Sequence, residues 1–152
     1  MALVLAFLIG VVAGLRSLTA PAVVSWAARF GWLRLEGTPL AFLGYPATSY
    51  IFTLLAFGEL VADQLPKTPS RKSPPGFVAR VLMGALSGAA VGAASAGLVS
   101  GMIAGIAGAL VGMFGGYEAR VRTARAVGRD WPVAVAEDLI AIGLGLWTVM
   151  AQ

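Results

Sequence analysis

Three groups of ionisable residues stand inside otherwise apolar sequence, where each charge needs a partner or a task. The first is Arg16, within Gly14-Leu15-Arg16-Ser17-Leu18-Thr19-Ala20-Pro21. Counted from Met1 at 1.5 Å per residue, Arg16 lies about 22 Å along a helix, near the mid-depth of a bilayer. Pro21 cannot donate to the carbonyl of Ser17, which leaves that oxygen open in a broken helix beside a cation and the hydroxyls of Ser17 and Thr19. Many transporters build a midplane site from such a break. The structural alternative is a kinked helix whose Arg16 is paired with a carboxylate.

The second group is Glu59 and Asp63, which share one helix face at i and i+4. The third is Glu137 and Asp138, about 9–11 Å inside the last apolar segment counted from Trp131. Both acidic pairs fall at similar depth on one side. A charge at the membrane centre costs about 2.5–3.5 kcal/mol even on lenient scales, so these groups should face the bundle and find partners. Four carboxylates near one level, with Arg16, Lys67, Arg80 and Arg120 in reach, make either a cation or proton site or a set of internal ion pairs. Lys67, Arg71, Arg80 and Arg120 also suit a phosphate or a lipid headgroup.

The elements that must position these residues follow from composition. Of 152 residues, 59% are hydrophobic and 12% charged. A soluble domain carries about 25% charged residues, so lipid must be the solvent for most of this surface. The chain has no cysteine and no histidine. Disulfides, thiol chemistry, the usual zinc ligand set and imidazole catalysis are thereby excluded, and any metal would be a hard cation on carboxylates and carbonyls. No cofactor is indicated. The net charge of +4 does not point to nucleic acid, because eight of the eleven basic residues lie between Lys67 and Arg80 or between Arg120 and Arg129, beside apolar spans.

A span needs about 20 apolar residues. The pattern predicts an all-α polytopic bundle in one domain over 1–152, with five spans near 1–28, 47–65, 77–96, 100–117 and 131–151. The first is read as a retained span and not a cleaved signal, since it lacks a positive n-region and Arg16 interrupts it. Trp32, Phe42 and Tyr45 suit a loop in the membrane interface. Residues 66–76 form an aqueous basic linker. The apolar run from Val81 to Gly116 would be roughly 54 Å as one helix, so it must fold back near 95–101. Asp130 can cap the last helix. Five spans place eight basic residues on one side and only Arg29 and Arg34 on the other, which predicts a cytoplasmic N-terminus and an outside C-terminus.

Small residues recur at spacing four: Gly84, Gly88 and Gly92, then Gly101 and Gly105, then Gly108, Gly112 and Gly116. Such rows let helices approach closely within one chain or between copies of a homo-oligomer. Helix pairs one-two and four-five each place an arginine-bearing segment before an acidic one, in opposite directions. That is the pattern of an inverted repeat.

AGLRSLTAPAVVSWAARFGW, the FLGYP loop, GELVADQLPKTPSR, ARVLMGALSGA and VAEDLIAIG together resemble the bacterial membrane family called domain of unknown function 4126, over nearly the whole chain. The resemblance implies a small multi-pass inner-membrane protein and supplies no substrate, reaction or catalytic residue. The leading expectation is a transporter or channel-like protein with a polar site for an ion or small anionic solute, formed by Arg16, Ser17, Thr19, Glu59, Asp63, Glu137 and Asp138. An enzyme acting on a lipid phosphate is a weaker expectation, because no recognised catalytic spacing is present. A non-catalytic assembly protein is the third.

Overall fold

The computed structural model describes residues 1–63 and 73–152, and among these every long element is a helix. In chain order they are α1 (Ala2–Leu15), α2 (Thr19–Arg29), a short 3-10 turn (Ala41–Gly44), α3 (Pro46–Ala62), α4 (Pro74–Ala93), α5 (Leu98–Val127) and α6 (Trp131–Met150). The all-α class expected from the sequence is the one observed.

The first apolar segment is two helices. A proline inside a helix removes one hydrogen bond and clashes with the carbonyl four residues back, which for Pro21 is Ser17. The chain resolves this by leaving the helix at Arg16, whose backbone is extended (φ −141°, ψ 106°), and restarting at Thr19. Pro21 then sits in the first turn of α2, where an amide has no intrahelical partner to lose. Arg16 and Ser17 at the break are both buried in the bundle.

The loop after α2 follows a simple rule. Leu33, Leu35 and Leu43 are buried, while Trp32, Phe42 and Tyr45 point outward. Three leucines hold the loop against the bundle and leave the aromatic residues at the surface, where an interfacial belt would want them. Prolines open α3, α4 and α6 in their first turns, where they fit the geometry and cost no hydrogen bond.

The hairpin between α4 and α5 turns at 94–97 through Gly97, whose φ of +107° suits glycine. It lies where the length limit required a reversal. Helix α5 then runs on to Gly128, a left-handed C-terminal cap, so residues 118–127, read from sequence as a connecting loop, are helical. Its 30 residues span about 45 Å, longer than the roughly 30 Å hydrocarbon core, and its charged last turns extend beyond the apolar part. Asp130 makes no side-chain capping bond to α6. Its carboxylate is drawn instead to Arg120.

Helices α1, α4 and α5 form the tightest unit, built on glycine. A β-carbon at Gly88 would stand 2.6 Å from the Gly105 α-carbon, and one at Gly92 would stand 2.6 Å from that of Gly101. Gly108 and Gly112 meet the backbone of α1 at Phe7 and Val11 in the same way. These rows are therefore spent on contacts within the chain. Helices α2, α3 and α6 pack around this unit.

Helices α4, α5 and α6 are long and apolar enough to cross a membrane, and α1 and α3 are shorter apolar helices. Large apolar side chains such as Leu54, Phe57, Ile103 and Leu139 are exposed along them. A water-soluble chain would bury such residues; these apolar helices fit a membrane protein.

Candidate functional site

The break between α1 and α2 leaves backbone groups unsatisfied at both new helix ends, and the bundle supplies a charged side chain for each. At the start of α2, Glu59 of α3 accepts three hydrogen bonds. The Ser17 amide and hydroxyl donate to Oε1 at 2.8 and 2.7 Å, and the Leu18 amide donates to Oε2 at 2.8 Å. A carboxylate at a helix N-terminus satisfies orphan amides and meets the positive end of the helix dipole. At the end of α1, Arg80 of α4 donates through Nε to the Gly14 carbonyl at 3.2 Å. A cation on the last carbonyls is the matching arrangement for a C-terminus. Arg80 also donates to the Gly76 carbonyl at 3.2 Å and lies 4.0 Å from Glu59.

Between these two ends sits Arg16, with no exposed surface. Its Nε donates to Asp138 Oδ1 at 2.6 Å, its Nη2 is ion-paired with the same oxygen, and its Nη1 is ion-paired with Asp63. Asp63 ends α3 and Asp138 belongs to α6, so one guanidinium joins the α1–α2 break to two other helices. Arginine suits this role because its donors fork in a plane and its charge persists when buried. Both aspartates keep 15% of their side-chain surface exposed, so the guanidinium is sealed while its partners are not.

A second pairing stands beside the first. Arg120 of α5 holds Asp130 at 2.7 Å and Glu137 at 3.5 Å. Glu137 and Asp138 are neighbours on α6, yet they serve different arginines.

The structure thus brings Arg16, Ser17, Glu59, Asp63 and Asp138 into one cluster, and places Glu137 with Arg120 next to it. Thr19 is buried one residue beyond the capped end of α2, where it lines an apolar groove. Lys67 and Arg71 lie outside the described residues. Arg80 is buried and bonded to backbone carbonyls, an inward place unlike the headgroup position expected from its basic neighbours. Its address was readable: Gly76, Arg80, Gly84 and Gly88 share one face of α4 at spacing four, and that face packs inward. Among the described residues no group of three or more acidic side chains converges as a metal site would require.

Chemically, the cluster carries three arginines (Arg16, Arg80 and Arg120) against four carboxylates set within the helices (Glu59, Asp63, Glu137 and Asp138). Each nitrogen of the Arg16 guanidinium has a carboxylate beside it, and Nε alone makes a hydrogen bond of good geometry. Among the described residues these carboxylates outnumber the arginines by one.

No curated protein and no solved structure matches the chain. A family model described as Domain of unknown function (DUF4126) matches residues 3–151, and the chain belongs to that family.

Proposed function

We propose that the protein is a small transporter or channel-like membrane protein that passes a proton or a small cation through the Arg16 cluster. One observation carries this reading: a fully buried guanidinium is clamped by carboxylates from two separate helices at a helix break. An incoming proton or cation at Asp63 or Asp138 would replace Arg16 as that carboxylate's partner. The guanidinium would then swing to the other aspartate, and the α3 and α6 attachments would loosen in turn. Such exchange gives two arrangements of similar energy, the requirement for alternating access.

In this reading α1 and α2 together make the first of five crossings, because α1 alone has 14 residues, about 21 Å. The N-terminus is cytoplasmic, the C-terminus is outside, and the membrane is the bacterial inner membrane. The proposed inverted repeat pairs Arg16 and Asp63 with Arg120 and Glu137. Helix α5 runs unbroken where α1 and α2 are interrupted, so the two halves differ in their backbone.

The test is flux in proteoliposomes under an imposed pH or potassium gradient, read with a trapped pH dye. Wild type should dissipate the gradient, and Asp138→Asn and Asp63→Asn should each slow it at least tenfold. Equal rates in wild type, both variants and protein-free vesicles would sink the proposal. The ion pairing of Arg16 to two helices at once favours one second reading, an ionic clasp in a non-catalytic assembly protein. That reading expects no flux together with a large loss of stability in the same variants.

A further inference from the structure

Away from the ionic cluster, α2, α3 and α6 leave a groove of about 420 Å³ between them. This lies within the roughly 300–1,000 Å³ typical of ligand pockets. Its α2 wall repeats at helical spacing through Thr19, Ala22, Val23, Trp26, Ala27 and Phe30, a run of about 16 Å along the helix. Phe57 of α3 and Ile142 and Leu146 of α6 form its exposed rim, while Ala22 and Ala27 lie buried at its floor. Nearly all of its lining is apolar, as an acyl chain requires.

A cation flanks one end of this groove, stacked on a residue of its wall. The Arg29 guanidinium stands 5.1 Å from the Trp26 ring centroid and 5.3 Å from that of Tyr50. Trp26 is itself held, its indole donating to Thr53 Oγ1 at 2.8 Å and its ring meeting Tyr50 edge-on. Arg29 is exposed, and among the described residues no carboxylate pairs with it. Arg120 and Arg122, by contrast, are paired with Asp130 and Glu118. Stacking on two rings orients Arg29 without neutralising it. Phe30 and Trp32 complete an aromatic collar at the same end, the placement expected at headgroup depth.

We infer that the α2–α3–α6 groove with Arg29 is a binding site for an anionic phospholipid, its acyl chain in the groove and its phosphate on the Arg29 guanidinium. Charge complementarity selects this occupant. An apolar furrow alone would accept any lipid tail, whereas an unneutralised cation at its aromatic end distinguishes a net-negative headgroup from a zwitterionic one. The site is separate from the Arg16 cluster and stands whether or not that cluster moves ions.

The test is native mass spectrometry of the full chain released from mixed micelles containing phosphatidylglycerol and phosphatidylcholine of identical chains. Wild type should retain phosphatidylglycerol several-fold over phosphatidylcholine. Arg29→Gln should cut that preference about fivefold, the effect of one cation at a membrane surface. Arg34→Gln should leave it unchanged, and Leu146→Trp, which fills the groove from its exposed rim, should lower retention of both lipids. Both altered arginines are exposed, so folding is not at stake. Equal retention of the two lipids by wild type would overturn the inference. So would a preference that survives Arg29→Gln, which would trace it to the basic segments, or a lipid-free dimer, which would mean that a second copy fills the groove.

Discussion

Helix α1 takes part in two kinds of contact that hold the bundle by opposite means. Along its length it meets α5 through glycine, with Gly10 and Gly14 against the backbone at Gly105 and Ala109. At its C-terminal end it meets α3, α4 and α6 through charge, by way of Arg16, Glu59, Arg80 and Asp138. In lipid no hydrophobic force draws helices together, so close backbone packing and polar pairing are the two available kinds of attachment. Glycine contacts have one geometry and no alternative. An arginine held by two aspartates is the contact that the proposed exchange would use. The glycine seam therefore reads as the rigid frame, and the ionic end as the part on which the proposed exchange depends.

The largest expected effect comes from removing the arginine. Arg16→Ala leaves Asp63 and Asp138 facing each other without their cation, and breaking a buried pair in this way costs about 3–5 kcal/mol. Thermal unfolding in detergent should show a large fall. The triple change Arg16→Met, Asp63→Asn, Asp138→Asn removes the charges together and should recover most of it. If the triple variant is as unstable as Arg16→Ala, the loss comes from packing at the break and the contrast with the glycine seam disappears.

The seam should answer to size alone. Gly88→Val pushes a branched side chain against the Gly101 carbonyl and the Gly105 backbone, and overpacking of this kind costs about 1–3 kcal/mol or more. Unfolding midpoints should fall by the same amount at low and high salt. A salt-dependent loss at Gly88 would mean that the two regions are coupled.

A smaller effect is expected at Glu59. Glu59→Ala strips the acceptor from two amides and a hydroxyl at the start of α2, a capping loss of about 1–2 kcal/mol. Glu59→Gln keeps an acceptor and should lose less. Equal losses would show that the charge, and not the hydrogen bonds, seats the helix.

What could be read from the sequence divides along the same line. A reversal near 95–101, the helical class and the inward turn of Arg16, Glu59, Asp63 and Asp138 follow from bilayer thickness and the cost of buried charge, which depend on composition and spacing. The partner of each charge did not follow. Glu59, by sequence a candidate proton or cation ligand, accepts the amides at the start of α2. That role exists only because the helix restarts at Thr19, and the restart point was decided by Pro21 together with α3. Arg80 was grouped with its basic neighbours by position in the chain, although its face of α4 already carried Gly84 and Gly88. The groove left no trace in the sequence, since three helices make it and none of them shows it alone.

The smallest effect sharpens the comparison most directly, because it uses the same residue type with the opposite outcome. Gly143 lies in α6, and a β-carbon there would find nothing within 4 Å. Gly143→Ala should therefore raise stability slightly, by roughly 0.5–1 kcal/mol, through the smaller conformational freedom of alanine when unfolded. Gly88→Ala differs only in its surroundings, with the Gly105 α-carbon 2.6 Å from the added atom, and should lower stability. Paired unfolding curves decide the matter. Opposite signs show that the frame is set by backbone approach, whereas two losses of equal size would mean that glycine serves these helices by flexibility and that neither region is rigid.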